Sequence, residues 1–190
     1  MNNRIPYNPS IIEPKWQKKW KDSKIYNVDL DSKNKENYFS LTMFPYPSGD
    51  LHIGHWYAFT PADSYSRFKK MKGFNVLHTQ GFDAFGLPAE NAAISRNINP
   101  MKWTFDNIDN MRGQFNLMGN SYDWSRELIT CTPEYYKWNQ FFFLKMYEKG
   151  IAYRKNGAVW WDPIDQTTLA NEQVVEGKSE RSGADVVRKM

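Results

Sequence analysis

Apolar and polar positions change period several times along these 190 residues, and each change marks an element. In SIIEPKWQKKWKDS, Ile12, Trp16 and Trp20 recur four apart on one face, which is the period of a short amphipathic helix. Ser10 is placed to cap it, and Pro14 suits its first turn. KNKEN reads as a polar loop. YFSLTMF, from Tyr38 to Phe44, is apolar and β-rich and predicts a buried strand. PYPSGD breaks that strand. A helical pattern then runs from Leu51 to about Met71, with Gly73 as its C-terminal cap. FNVLHTQGF, from Phe74 to Phe82, predicts the next strand. Strand, helix and strand within about 45 residues make a βαβ unit, which implies a parallel pair with a right-handed crossover.

Two further helical stretches follow, LPAENAAISRN and NPMKWTFDNIDNMRGQFNLMG, separated by Pro100. YDWSRELIT holds a short strand. TPEYYKWNQFFFLKMYEKG is a helix with Thr132 as cap, Pro133 at its first position, Glu134 in its first turn, Lys149 in its last and Gly150 at its end. IAYRKNGAVWWDP predicts a hairpin turning at Asn156-Gly157. Beyond Asp162 the chain is polar and punctuated by glycine. The fold class is therefore α/β. A helical extension covers 1–36 and a parallel-sheet domain covers 37–152. A small module begins at 153, with the boundary drawn near 151 to 160.

Composition adds limits. Hydrophobic residues make up 41% and aromatics 16%, enough for a packed core. There is no internal repeat and no low-complexity tract. A net charge of +4 and a pI near 9.0 suit a polyanionic partner such as a nucleotide or nucleic acid, as a mild bias. The basic run RFKKMKG complements a helix dipole; contact with tRNA is its other use. Cys131 is the single cysteine, so no disulfide closes within the chain and no multi-cysteine metal site forms. That fits a reducing, cytoplasmic setting. The first residues lack the apolar core of a secretory signal. No run approaches about 18 consecutive apolar residues, so no membrane span is expected.

The chemistry concentrates in FPYPSGDLHIGHW. His52 and His55, two of three histidines, fall at i and i+3 where the helix begins, so they share a face. Unpaired amides and the positive end of the dipole point into the same space, which makes an anion site. Two imidazoles there, protonated or simply polarised, add donors for phosphate oxygens. Gly54 leaves room for a flat ring such as a base against the backbone. Pro45, Pro47 and Gly49 fix a rigid turn ahead of the pair. In an open parallel sheet, ligands bind beyond the carboxyl ends of the strands, which is where this motif sits. HTQGFDAFGLPAENAAI, from His78 to Ile94, opens onto the same edge. Asp83, between Gly81 and Gly86, reads either as a loop-capping aspartate or as a carboxylate for the ammonium of a small zwitterion.

MFPYPSGDLHIGH together with HTQGFDAFGLPAENAAI resembles the class I aminoacyl-tRNA synthetases, and among them the leucyl-tRNA synthetases of bacterial and organellar type. His52 to His55 stand as the family's HIGH motif. YDWSRELITCTPEYYKWNQFFFLKMYEKGIAYR and QTTLANEQVVEGKSERSG continue the resemblance, which covers about Tyr7 to Arg188. It implies the N-terminal half of a Rossmann-like catalytic domain. It also implies a reaction: ATP, with Mg2+, activates leucine as leucyl-adenylate, and the leucyl group passes to tRNA(Leu). No protein nucleophile is needed; positioning and charge neutralisation suffice. By the same resemblance, His52 and His55 are catalytic. Pro45, Gly49, His52, Gly54 and His55 contact ATP. Met43, Phe44 and Tyr46 line the leucine site, and Asp83 binds the α-ammonium.

Two departures shape the expectation. The family's second half of the catalytic fold, its KMSKS loop, its editing domain and its anticodon-binding bundle have no counterpart here. The expectation is an N-terminal portion, either a fragment or one piece of a split enzyme whose partner bears KMSKS, and inactive alone. Many relatives also carry a cysteine-based zinc knuckle where this chain reads WWDPIDQ and GKSERSG. No zinc is expected, and a knuckle held by hydrogen bonds and packing should stand in its place. Two other readings stay open: a sister class I synthetase for isoleucine, valine or methionine, or a non-catalytic piece that binds a nucleotide, tRNA or a partner subunit.

Overall fold

The computed structural model describes residues 6–190. They form two compact units, divided between Asn139 and Gln140.

The first unit opens with helix α1 (Pro9–Asp22). It starts at Pro9, not at a Ser10 cap. Proline sets the helical φ in advance and lacks only an amide that would have no partner there. Pro14 lies in the second turn, beyond its predicted place. Gln17 Nε2 donates to the Leu117 carbonyl at 3.1 Å. Strand β1 (Asn37–Ser40), helix α2 (Ile53–Met71) and strand β2 (Asn75–His78) form the predicted βαβ unit. β1 and β2 are parallel, in register from Asn37 opposite Asn75 to Ser40 opposite His78. β1 is shorter than predicted. Beyond Ser40 the ladder stops, and Leu41 and Met43 stand exposed rather than buried.

After β2 the chain steps at Thr79-Gln80 into β3 (Gly81–Phe82), so the predicted single strand is two. Helices α3 (Leu87–Ser95) and α4 (Pro100–Met118) follow. Asn99 Oδ1 caps α4 by accepting from the Met101 and Lys102 amides, with Pro100 at the first position. A 3-10 turn, Trp124–Arg126, leads into β4 (Leu128–Ile129), parallel to β3. The core joins Phe59 of α2, Phe82 of β3, Ile108, Met111 and Phe115 of α4, and Tyr122. Helix α5 (Pro133–Glu148) runs through the division between the units and buries none of its residues.

The second unit holds β5 (Val159–Asp162), β6 (Thr167–Leu169), β7 (Val174–Val175), β8 (Lys178–Ser179) and β9 (Val187–Lys189). β5 lies between β6 and β9, antiparallel to both, and β7 pairs with β8. The hairpin expected at Asn156-Gly157 does not form. The chain turns instead after Asp162, whose Oδ1 accepts from the amides of Ile164 (2.9 Å) and Asp165 (3.0 Å). An aspartate that caps its own following turn offers the backbone a ready reversal. Asp162 Oδ2 accepts from Ser182 Oγ at 2.7 Å. Ser179 Oγ in turn accepts from the Arg181 and Ser182 amides. The segment around WWDPIDQ and GKSERSG is thus bound by hydrogen bonds converging on a fully buried carboxylate. Burial raises the Asp162 pKa, but hydrogen bonds from Ser179, Ser182 and the two amides outweigh it and hold the carboxyl below the usual range.

Candidate active site

The Pro/Gly turn that leaves β1 buries Pro45 and Pro47. It delivers the chain to His52, the N-cap of α2, in an extended conformation. The two histidines then cap each other's backbone. His52 Nδ1 accepts from the Gly54 amide at 3.1 Å, and His55 Nδ1 accepts from the His52 amide at 3.0 Å. This is a capping box built from imidazoles in place of a hydroxyl and a carboxylate. A backbone N–H can only donate, so both Nδ1 atoms are acceptors and each ring carries its proton on Nε2. The pair therefore presents two neutral N–H donors. Of the two alternatives left open by the sequence, polarised rings rather than protonated ones fit this geometry. The ring centroids lie 4.0 Å apart. Burial, and then the neighbouring His52, lowers the His55 pKa. His55 also stacks on Phe59, 5.9 Å between centroids and 12° between planes. Phe59 in turn meets Phe115 edge-on.

Gly54 has a local reason to be glycine. A Cβ there would lie 2.9 Å from His52 Cε1 and 3.0 Å from Nδ1. The room expected to admit a base holds the His52 imidazole in this structure. A side chain at 54 would push that ring off its cap.

The Asp83 amide donates to the Pro45 carbonyl at 2.9 Å, which joins the loop after β3 to the turn after β1. Phe44 lies against Gly81: a Cβ at 81 would stand 3.0 Å from the Phe44 ring and 2.5 Å from the Leu128 carbonyl oxygen. Met43 and Tyr46 are exposed beside it in the chain. Of the two uses open to Asp83, the loop-capping one is not seen among the described residues. Its Oδ1 has one long contact, 3.5 Å to Thr130 Oγ1, and Thr130 Oγ1 itself accepts from the Ala84 amide at 2.8 Å. Among the described residues the half-buried carboxylate shows no shorter side-chain bond.

Sequence reasoning missed the groups that fix these parts from afar. Gln114 and Asn110 of α4 hold Asp50 and Leu51, the two residues before His52. Within α2, Asp63 accepts from the Ser121 amide and hydroxyl and from Arg67 Nε at 2.8 Å. Arg67 also donates to Tyr26 Oη and to the Gly119 carbonyl, and lies over the Trp20 ring at 5.0 Å. The third histidine, His78, is 2% exposed, with Nδ1 3.2 Å from Ser121 Oγ. Burial lowers its pKa to about 4, against the opposing pull of Asp63. Apart from the i,i+4 pair of Asp63 and Arg67, these partners are 41 to 64 residues apart in sequence, and no local pattern announces them.

The family model for tRNA synthetases class I (M) matches residues 38–187, spanning both histidines, Asp83 and the small sheet. The chain belongs to the class I tRNA synthetases. Among curated relatives, the leucine–tRNA ligase of Deinococcus radiodurans is 56% identical over 183 residues, 96% of this chain and 22% of that protein. The leucine–tRNA ligase subunit alpha of Aquifex aeolicus is 55% identical over the same share of this chain and 28% of its own length. The chain thus spans about a quarter of the relatives it matches. The LeuRS of Agrobacterium radiobacter K84, solved as a ternary complex with tRNA and LeuAMS, superposes with a TM-score of 0.89 at 43% identity. That match covers 97% of this chain and 24% of the other. The methionyl-tRNA synthetase of Mycobacterium tuberculosis, with methionyl-adenylate, shares the fold at a TM-score of 0.65 and 22% identity, over 81% of this chain and 31% of its own. Among the described residues no helix is long and apolar enough to cross a membrane.

Proposed function

We propose that this chain is the ATP- and leucine-binding portion of a leucine–tRNA ligase, acting in the cytoplasm. The observation that carries the reading is the reciprocal cap of His52 and His55 at the N-terminus of α2, which commits both Nδ1 atoms to backbone amides and leaves Nε2–H as the donor each ring has to offer. Identity of 55–58% to leucine–tRNA ligases along nearly the whole chain supports leucine as the amino acid.

In the proposed reaction, a leucine carboxylate oxygen attacks the α-phosphorus of ATP. The new O–P bond gives leucyl-adenylate, and the bond to the β-phosphate breaks to release pyrophosphate. A hydroxyl of the terminal adenosine of tRNA(Leu) then takes the leucyl group and AMP leaves. Mg2+ enters with the triphosphate as part of the substrate. The two Nε2–H donors lie where phosphate charge builds, and being neutral and fixed they need little reorganisation as it does. Pro45, Gly49 and Gly54 shape the wall on the ATP side. Met43, Phe44 and Tyr46 form the leucine pocket, and Asp83 holds the α-ammonium. The remaining triphosphate contacts and the docking of tRNA(Leu) call for a KMSKS-bearing half, in the same chain or in a partner subunit.

The test is leucine-dependent ATP–pyrophosphate exchange, measured on this chain alone and with a KMSKS-bearing half added. Exchange that needs the second half is the expected result; none in either case, with both parts folded, refutes the reading. In the complete enzyme, His55→Ala should slow adenylate formation by more than about tenfold with leucine binding nearly unchanged. Asp83→Ala should chiefly weaken leucine binding.

A further inference from the structure

The backbone just ahead of the histidine pair is gripped from another helix. The Leu51 amide donates to Gln114 Oε1 at 2.7 Å, and Gln114 Nε2 donates to Asp50 Oδ1 at 2.9 Å. Asn110 Nδ2 donates to the same carboxylate oxygen at 2.6 Å. Asp50 and Leu51 directly precede His52, so this grip sets where the N-cap residue of α2 stands. Gln114 is itself placed firmly, because its helix neighbours Met111 and Phe115 are buried in the core. Phe115 also backs Phe59, on which His55 stacks. Adjacent residues of α4 thus serve the two histidines, one through the backbone before His52 and one through the ring behind His55.

We propose that Gln114 is a positioning residue for adenylate formation, holding the two Nε2–H donors at the height the α-phosphate requires. The inference rests on the reading given under Proposed function. The reciprocal cap fixes the two histidines to each other, and the bonds from Gln114 tie the backbone that carries them to α4. A displacement of about 1 Å at such a group can cost about a hundredfold in rate. The amide side chain suits the task because it offers an acceptor to the Leu51 amide and a donor to the Asp50 carboxylate at once. Glutamate would keep the acceptor but set a second carboxylate against Asp50. Leucine would remove both bonds.

The experiment compares the complete enzyme, with its KMSKS-bearing half present, with Gln114→Leu, Gln114→Glu, and the double variant Asp50→Asn/Gln114→Glu, in leucine-dependent ATP–pyrophosphate exchange. The double variant exchanges acid and amide across the same two positions, so a donor again faces a carboxylate. Both single variants should lose about tenfold in kcat with leucine KM held within about twofold, and the double variant should recover most of that loss. Circular dichroism and urea midpoints establish that each variant is folded. Single variants with kcat within about twofold of the parent overturn the inference, as does a double variant no better than Gln114→Glu. A parent without leucine-dependent exchange overturns the underlying reading and this inference with it; an active parent with indifferent variants overturns this inference alone.

Discussion

His78 should make this protein lose stability in mild acid, and the amount follows from its surroundings. The ring is 2% exposed, and its Nε2 is buried without a hydrogen-bond partner. A proton there would enter a desolvated site. Burial is the largest influence on its pKa, which falls to about 4, even though Asp63 at 3.9 Å pulls the other way. In the unfolded chain the same ring titrates near its ordinary value of 6.5. The unfolded state therefore takes up the proton first as pH falls. The stability tied to a neutral His78 is complete above pH 6.5, erodes as pH drops through the window from 6.5 to about 4, and is gone below it. At 1.36 kcal/mol per pH unit the loss reaches about 2 kcal/mol by pH 5 and about 3 kcal/mol by pH 4. With a urea m-value of about 2 kcal/mol/M, the midpoint should fall by more than about 1 M. Carboxylates titrate over part of the same range, so the reading must be differential. His78→Gln removes only this titration. Urea unfolding of both proteins from pH 7 to pH 4 should show the stability of the wild type falling relative to the variant by about 3 kcal/mol. A constant difference across that range would refute the argument, and so would an NMR titration placing His78 in the folded protein near 6.5.

Three further outcomes follow from named contacts. Arg67→Met should cost about 3 kcal/mol in urea unfolding, because it leaves Asp63 buried without its cation and removes the link to Tyr26; Tyr26→Phe should cost only about 1 kcal/mol, and equal costs would show that the ion pair is not the important bond. Gly81→Ala sets a methyl 2.5 Å from the Leu128 carbonyl and 3.0 Å from the Phe44 ring; it should destabilise by about 2 kcal/mol and raise the KM for leucine more than that for ATP, and an unchanged leucine KM would separate Phe44 from the amino-acid pocket. Asp162 has a depressed carboxyl pKa, so its contribution is present above the ordinary carboxylate range and is lost as pH falls through and below it. Asp162→Asn should open the turn after β5 and speed tryptic cleavage within 159–190, and cleavage at the wild-type rate would count against the hydrogen-bonded knuckle.

The parts legible in the sequence were those governed by short-range rules. The βαβ unit followed from periodicity and one turn, and α4 from a helical stretch set off by Pro100. What failed was also local, and failed for local reasons. Pro9 displaced Ser10 as the start of α1 because a proline at the first helical position needs no capping side chain. Asn156-Gly157 is a strong hairpin pair, yet Asp162 captured two amides of the residues that follow it and the turn moved there. The site was visible only in outline. Two histidines at i and i+3 predict a shared face, and this would hold whether the rings bound phosphate through Nδ1 or Nε2. Fold geometry makes the choice: by spending both Nδ1 atoms on backbone amides, the histidines become their own N-cap and leave one kind of donor to offer. The same bonds explain the intervening residue, since a Cβ on Gly54 would strike the ring that does the capping. H-x-G-H here is therefore a single structural device, in which the cap, the glycine and the remaining Nε2 donors each require the others.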